Sequence, residues 1–271
     1  MTHGNGLEAI QTLKTAPSTT AAIQWHYPKE KPKLSNGIIH LWCLDTESMG
    51  AKWSGFKKAL SEQERHQAEK FRFEADKKAF IIRRGALREL AGRYLGIPPG
   101  ELSFYAGSYG KPFISEQQNQ TGLQFSISVT RQKIILAFTK GGHVGVDIEV
   151  VRPIEDIDSI AQRFFSPSEA ALLRSQPHSE KVRHFYMLWT LKEALLKALG
   201  IGLTKGAHLF GARWKADGRI EIVDNRLDGF EPQRWFMKTL NCDEDYCMAI
   251  ALGATGDIGM RFFRFPYRHI P

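Results

Sequence analysis

Apolar residues recur along this chain at two periods. Between residues 185 and 200, Leu188, Leu191, Leu195 and Leu199 repeat at helical spacing. Trp189, Glu193 and Lys197 fall four apart on the adjoining line, so one helix carries a core stripe beside a stripe of ionisable groups. A second long helix is predicted over 76–95, with Phe80, Leu87, Leu90 and Ala91 among its apolar positions and Gly96-Ile-Pro-Pro as its stop. Ser61-x-x-Glu64 and Ser166-Pro-Ser-Glu169 have the form of capping boxes and start two shorter helices. Ser179 is expected to cap the central helix, and Gly200 or Gly202 to end it.

Strand patterns make up most of the rest. Runs over 38–44 and 102–105 are followed by three more at 123–130, 133–139 and 143–151. Short polar or glycine linkers separate these three and predict an antiparallel meander. Tyr109-Gly110-Lys111-Pro112 reads as a tight turn. Further strands are expected at 213–214, 220–223, 235–240, 246–252 and 260–265, with Asp217-Gly218 as a hairpin turn. Residues 1–36 mix breakers with charge and read as a flexible arm or one laid over the body. The order predicts an α+β fold with largely antiparallel sheets and two halves, 37–140 and 141–271.

Composition narrows the function classes. The 271 residues are 42% hydrophobic and 24% charged, as in a globular protein with a true core, and no apolar run reaches the ~18 residues of a membrane span. A net charge of +8 favours acidic or phosphorylated partners. No zinc-ligand spacing, RNA-binding aromatic motif or helix-turn-helix appears, so nucleic acid is not the expected partner. Cys43, Cys242 and Cys247 are odd in number and lack C-x-x-C spacing. With no signal-peptide pattern, they point to the cytoplasm. Lys77, Lys78, Arg83, Arg84 and Arg88 form a basic helix face, by itself a solvated surface or a grip for phosphates.

Candidate chemistry lies in two stretches. In Val144-Gly-Val-Asp147-Ile-Glu149 the strand period puts both carboxylates on one face, about 6.6 Å apart. At an effective dielectric near 20 their repulsion is roughly 2.5 kcal/mol, which a half-buried strand tolerates if a cation sits between them and an exposed edge strand tolerates without one. Hard oxygen ligands favour magnesium or manganese, and Glu193 offers a third carboxylate. Taken alone, Glu193 and Lys197 form an ordinary i,i+4 surface pair.

The two stretches together resemble the paired signature of the 4′-phosphopantetheinyl transferase superfamily: Gly145-Val146-Asp147-Ile148-Glu149, then Trp189-Thr190-Leu191-Lys192-Glu193 with Lys197 four residues on. The resemblance covers about residues 38–252, and the chain's length is similar to the Sfp-like class. It implies a monomeric pseudo-dimer of two similar α/β subdomains with a cofactor cleft between them. It further implies transfer of 4′-phosphopantetheine from coenzyme A to a serine of an acyl or peptidyl carrier protein, serving fatty-acid, polyketide or nonribosomal-peptide synthesis. By residue matching, Asp147, Glu149 and Glu193 hold magnesium, Glu193 and Lys197 are catalytic, and Lys111, Pro112, Ser128, Lys192 and Lys197 bind coenzyme A; Arg83, one helical turn from the family's arginine position, is expected to bind it in that arginine's place. Glu169 matches a glutamate sometimes given a catalytic role, although its capping box already accounts for it. Three positions depart from the family pattern: Val129 replaces a histidine, Ala79 an arginine, and Gln67 a basic residue. All three lie on the nucleotide side, so the alternative is a repurposed member with another ligand or chemistry.

Overall fold

Two 22-residue helices, each laid on its own sheet, organise the computed structural model. Residues 22–215 and 220–267 are described; residues 1–21 of the expected arm and the Asp217-Gly218 turn lie outside them. The first half runs β1 (Ile38–Asp45), a 3-10 helix (Gly50–Ala59), α1 (Glu62–Glu69), α2 (Glu74–Leu95), β2 (Phe104–Ala106), β3 (Pro112–Ile114), β4 (Leu123–Thr130) and β5 (Lys133–Lys140). The second runs β6 (Val144–Val150), α3 (Ile157–Phe164), α4 (Pro167–Ser175), α5 (His178–Leu199), α6 (Leu203–Gly206), β7 (Gly211–Trp214), β8 (Ile220–Val223), β9 (Phe236–Asp243), β10 (Tyr246–Leu252) and β11 (Gly259–Arg264).

The fold is α+β, with sheets ordered β11-β1-β5-β4 and β6-β10-β9 and two small hairpins, β2-β3 and β7-β8. Among the described strands every pairing is antiparallel except β1 with β11, which returns from later in the chain to the first sheet. The expected meander stops at β5. Gly141 and Gly142 take φ of 67° and 117°, turning the chain so that β6 pairs with β10 in the second sheet. Even-numbered side chains of β6 join odd-numbered ones of β1 in a core between the sheets. The other faces of β1 and β6 carry α2 and α5 respectively.

The halves repeat each other at an offset of about 105 residues. Capping boxes Ser61/Glu64 and Ser166/Glu169 open α1 and α4, both with the reciprocal bonds formed. The long helices α2 and α5 both end on a left-handed glycine, Gly96 and Gly200. Each capping glutamate also takes a cation from its long helix: Glu64 pairs with Arg84 and Arg88, and Glu169 with Lys192. Three details differ from expectation. α5 begins after Pro177, which puts Ser179 inside the first turn, α3 has no counterpart in the predicted elements, and α2 starts two residues early. Residues before β1 lie along the body: the Ile23 amide donates to Asn241 O, and His26 bridges to Phe263.

On β1, His40 is fully buried, with Nδ1 2.8 Å from the Tyr94 hydroxyl that also accepts from the Trp42 indole. Its Nε2 has no partner. Burial, with Arg261 nearby, pushes the imidazole down to about 4. A histidine held neutral contributes stability that is complete above its unfolded value near 6.5 and lost as pH falls toward 4. His40→Gln is therefore expected to flatten the acid side of the stability curve. In urea titrations between pH 7 and pH 4 the native chain should lose on the order of 2 kcal/mol more than the variant; equal losses refute the assignment.

Candidate active site

The two sheets meet through side chains. On β4, Ser126, Ser128 and Thr130 alternate along one face, and their hydroxyls accept the β6 amides of Val146, Ile148 and Val150 at 3.1, 3.3 and 3.3 Å. Period-2 spacing on both strands keeps the three bonds in step, so a ladder of hydroxyls takes the place of a main-chain ladder. β6 is consequently an interior strand, with Asp147 2% exposed.

The same hydroxyls aim the carboxylates. Ser128 donates to Asp147 Oδ1 at 2.8 Å, and Thr130 reaches Glu149 Oε2 at 3.4 Å. Lys197 Nζ lies 2.6 Å from Asp147 Oδ1 and 3.1 Å from Ser128 Oγ. The lysine thus bonds across to the strand and forms no ion pair with Glu193, one turn before it. Gly145 permits this approach. A Cβ there would sit 1.9 Å from Ala194 O and 2.5 Å from the Ala198 amide, so the α5 backbone rests directly on β6.

Charge at the crossing is incompletely compensated. Asp147 Oδ2 is buried with no partner. Burial and Asp147 push Glu149 up to about 7 against the pull of Lys197, and burial raises Glu193 as well. Among the described residues no three His, Cys, Asp or Glu side chains gather closely enough to hold an ion as they stand. The donor chemistry still suits a hard cation: Asp147 lies close enough to help raise Glu149 and Glu193, and one buried oxygen lacks any donor.

One cavity opens beside this group and a second adjoins it, the two sharing Gly110, Pro112 and Ile127 in their walls. One, of about 290 Å³, reaches Glu193 and Lys197 past Tyr109, Lys111 and Leu196. The other, of about 380 Å³, is walled by Arg83, Arg84, Phe104 and Tyr105. Arg84 is committed to Glu64, whereas Arg83 has no ion pair among the described residues. Val129 is 42% exposed on the β4 face that carries Ile127.

The expected residues divide accordingly. Asp147, Glu149, Glu193, Lys197 and Ser128 come together, Pro112 and Arg83 line the adjoining cavities, and Lys111 bonds Ala198 O and Val144 O. Burial pushes Lys111 down to about 8. Lys192 is not part of the group. One position from Glu193 on the helix, it points into the core, bonded to Glu169 at 2.7 Å and Phe210 O at 2.5 Å. Glu169 serves its capping box and also accepts the Ala212 amide. Sequence reasoning missed the roles of Ser126 and Thr130, although the S-x-S-x-T alternation opposite an acidic strand was the available signal.

Comparison with known proteins gives two family matches. Residues 143–251 match the 4′-phosphopantetheinyl transferase superfamily, and residues 47–140 match the N-terminal region of 4′-phosphopantetheinyl transferases. The chain is 32% identical over 224 residues to the 4′-phosphopantetheinyl transferase HetI of Nostoc sp., covering 80% of this chain and 89% of that protein. It is 33% identical over 192 residues to a 4′-phosphopantetheinyl transferase of Bacillus subtilis, covering 71% and 81%. With the 4′-phosphopantetheinyl transferase Sfp of Bacillus subtilis strain 168 it shares 29% over 195 residues, covering 72% and 83%.

The crowded carboxylates make a prediction about stability. A glutamate raised by burial and a like charge destabilises the folded state increasingly as pH rises from about 4.5 to 7. Glu149→Gln, measured without divalent cations, should therefore be more stable than the native chain at pH 8, by on the order of 1 kcal/mol once partial exposure is allowed for. The advantage should vanish near pH 5. A variant less stable at both pH values refutes the reading.

Proposed function

The chain belongs to the 4′-phosphopantetheinyl transferase superfamily. On that premise we propose that it transfers 4′-phosphopantetheine from coenzyme A to a carrier-protein serine, with magnesium, releasing adenosine 3′,5′-bisphosphate. The observation that carries this reading is the under-compensated acidic group at the β6–α5 crossing, with Lys197 beside it, one cavity opening on Glu193 and Lys197 and a second adjoining that cavity. An acidic carrier helix suits the net charge of +8. Among the described residues no helix is long and apolar enough to cross a membrane.

Asp147, Glu149 and Glu193 would hold the cation, and the partnerless Asp147 Oδ2 is the oxygen best suited to ligate it. When bound, magnesium would neutralise charge developing on the pyrophosphate. The chain's own groups supply the rest. Ser128 and Thr130 fix the two strand carboxylates. Glu193, raised by burial, is better matched than an ordinary glutamate to take the proton of the incoming serine at neutral pH. Lys197 can turn from Asp147 toward the leaving phosphate, delivering positive charge there once the carboxylate has another partner. Arg83, which has no ion pair among the described residues, would take the nucleotide phosphates.

Exposed Val129, where the family has a phosphate-binding histidine, favours a second reading in which the preferred ligand lacks the 3′-phosphate.

Two experiments test these readings. Purified apo carrier proteins incubated with the protein, coenzyme A and magnesium should each gain the mass of one phosphopantetheine arm. Glu193→Ala should slow this by about 10²–10⁴-fold, the usual worth of a general base. Failure to label any of several carriers, by protein shown to be folded, refutes the transferase. Arg83→Ala should raise KM for coenzyme A about 10- to 100-fold, the loss of one charge-assisted contact. Its effect on 3′-dephospho-coenzyme A should stay under about twofold on the same reasoning. Equal effects on both substrates would remove Arg83 from 3′-phosphate recognition. A native enzyme indifferent to the 3′-phosphate would establish the second reading.

A further inference from the structure

Lys111 belongs to the first half of the chain, on the turn between β2 and β3, yet its ammonium is used in the second half. Nζ lies 3.1 Å from Ala198 O and 3.3 Å from Val144 O. Ala198 is in the last turn of α5, where carbonyls have no intrahelical donor and the helix presents its negative end. Val144 is the first residue of β6. The stem of Lys111 passes Gly200, the left-handed cap of α5, and the ring of Phe113 stands 5.6 Å from Nζ on another side. An ammonium has three donors. Here two are spent on backbone carbonyls and an aromatic ring covers part of the remainder, so although Lys111 lines the smaller cavity its ammonium is committed to the backbone.

We propose that Lys111 is a positioning residue, a latch that holds the end of α5 against the start of β6 and so sets where Lys197 and Glu193 stand relative to Asp147. Its two carbonyls flank the reactive groups in sequence: Ala198 follows Lys197 directly, and Val144 precedes Asp147 by three residues. At the crossing, Gly145 leaves backbone against backbone and puts no Cβ in the way of α5 sliding along the strand, so its position there depends on bonds made beside the contact, of which Lys197 to Asp147 is one. The latch supplies a second such bond and ties it to the hairpin carrying Gly110 and Pro112, which line both cavities. Proximity effects in catalysis make a displacement of about 1 Å costly, on the order of 10²-fold. The consequence for turnover rests on the transferase reading; the latch itself does not.

Lys111→Met keeps the apolar stem and removes the ammonium, while Lys111→Arg keeps the donors. Hydrogen exchange tests the latch without any activity. The amides of Gly200 and Ile201, both bonded to Leu196 O, should exchange at least about tenfold faster in Lys111→Met and near the native rate in Lys111→Arg. Unchanged exchange in the methionine variant overturns the latch. In the carrier-labelling assay, Lys111→Met should lower kcat about tenfold or more and leave KM for coenzyme A within about twofold, with the arginine variant largely restored. A raised KM at unchanged kcat would instead make Lys111 a phosphate ligand and overturn the proposal. If the native protein labels no carrier, the transferase reading fails and the exchange result still decides the latch.

Discussion

Three hydroxyl-to-amide bonds between β4 and β6 are the constraint on which the rest of the molecule depends. Each contributes only about 0.5–1.5 kcal/mol net, but their absence would strand three buried amides at about 1–3 kcal/mol apiece. They join two sheets that share no main-chain ladder between these strands, and they do so at the strand carrying both carboxylates. Because a hydroxyl is donor and acceptor at once, Ser128 can take the Ile148 amide and still donate to Asp147. The joint between the halves and the aiming of the carboxylate are therefore one structural feature. A main-chain ladder would make the joint without the aim.

The repeat shows how little of the chemistry resides in the helix alone. Arg88-Glu89-x-x-x-Arg93 on α2 has the pattern of Lys192-Glu193-x-x-x-Lys197 on α5, about 105 residues earlier. In the first copy Arg93 reaches back to Glu89 at 4.0 Å, the ordinary i,i+4 pair. In the second, Lys197 turns from Glu193 to Asp147. The strand beneath decides the difference. At the spacing of the capping boxes, buried Trp42 and Leu44 stand on β1 where Asp147 and Glu149 stand on β6. An apolar strand leaves the helix to satisfy its own charges, and an acidic strand draws the lysine across.

Local signals were therefore legible in the sequence and relational ones were not. Both capping boxes, both glycine stops and nearly every strand follow from residue patterns that act over one or two turns. The acidic pair on β6 was correctly placed on one face because strand period is a property of the backbone. What escaped was pairing between distant segments: β6 reads as the third strand of a meander, and only Gly141, Gly142 and the hydroxyl ladder send it to β10. Lys192 escaped for a related reason. It neighbours Glu193 in sequence, yet a helix turns successive residues by about 100°, and the core met by the Lys192 face contains Glu169.

The two lysines contrast in how their charges are answered. Lys192 and Glu169 are both about 1% exposed, and their charges are answered by each other, by Phe210 O and by the amides of Ser166 and Ala212. Such a pair adds little net stability over an apolar substitute, but removing one partner would leave an expensive buried charge, so it acts as a fixed support behind the helix. Lys197, Asp147, Glu149 and Glu193 lie five residues or less away along the same helix or across from it, and their account does not balance. One oxygen lacks a donor and two carboxyls are pushed upward by burial. Folding tolerates this imbalance because the satisfied pair, the hydroxyl ladder and the backbone contact at Gly145 hold the elements in place. The unanswered charge is thus held by the fold without being neutralised within it.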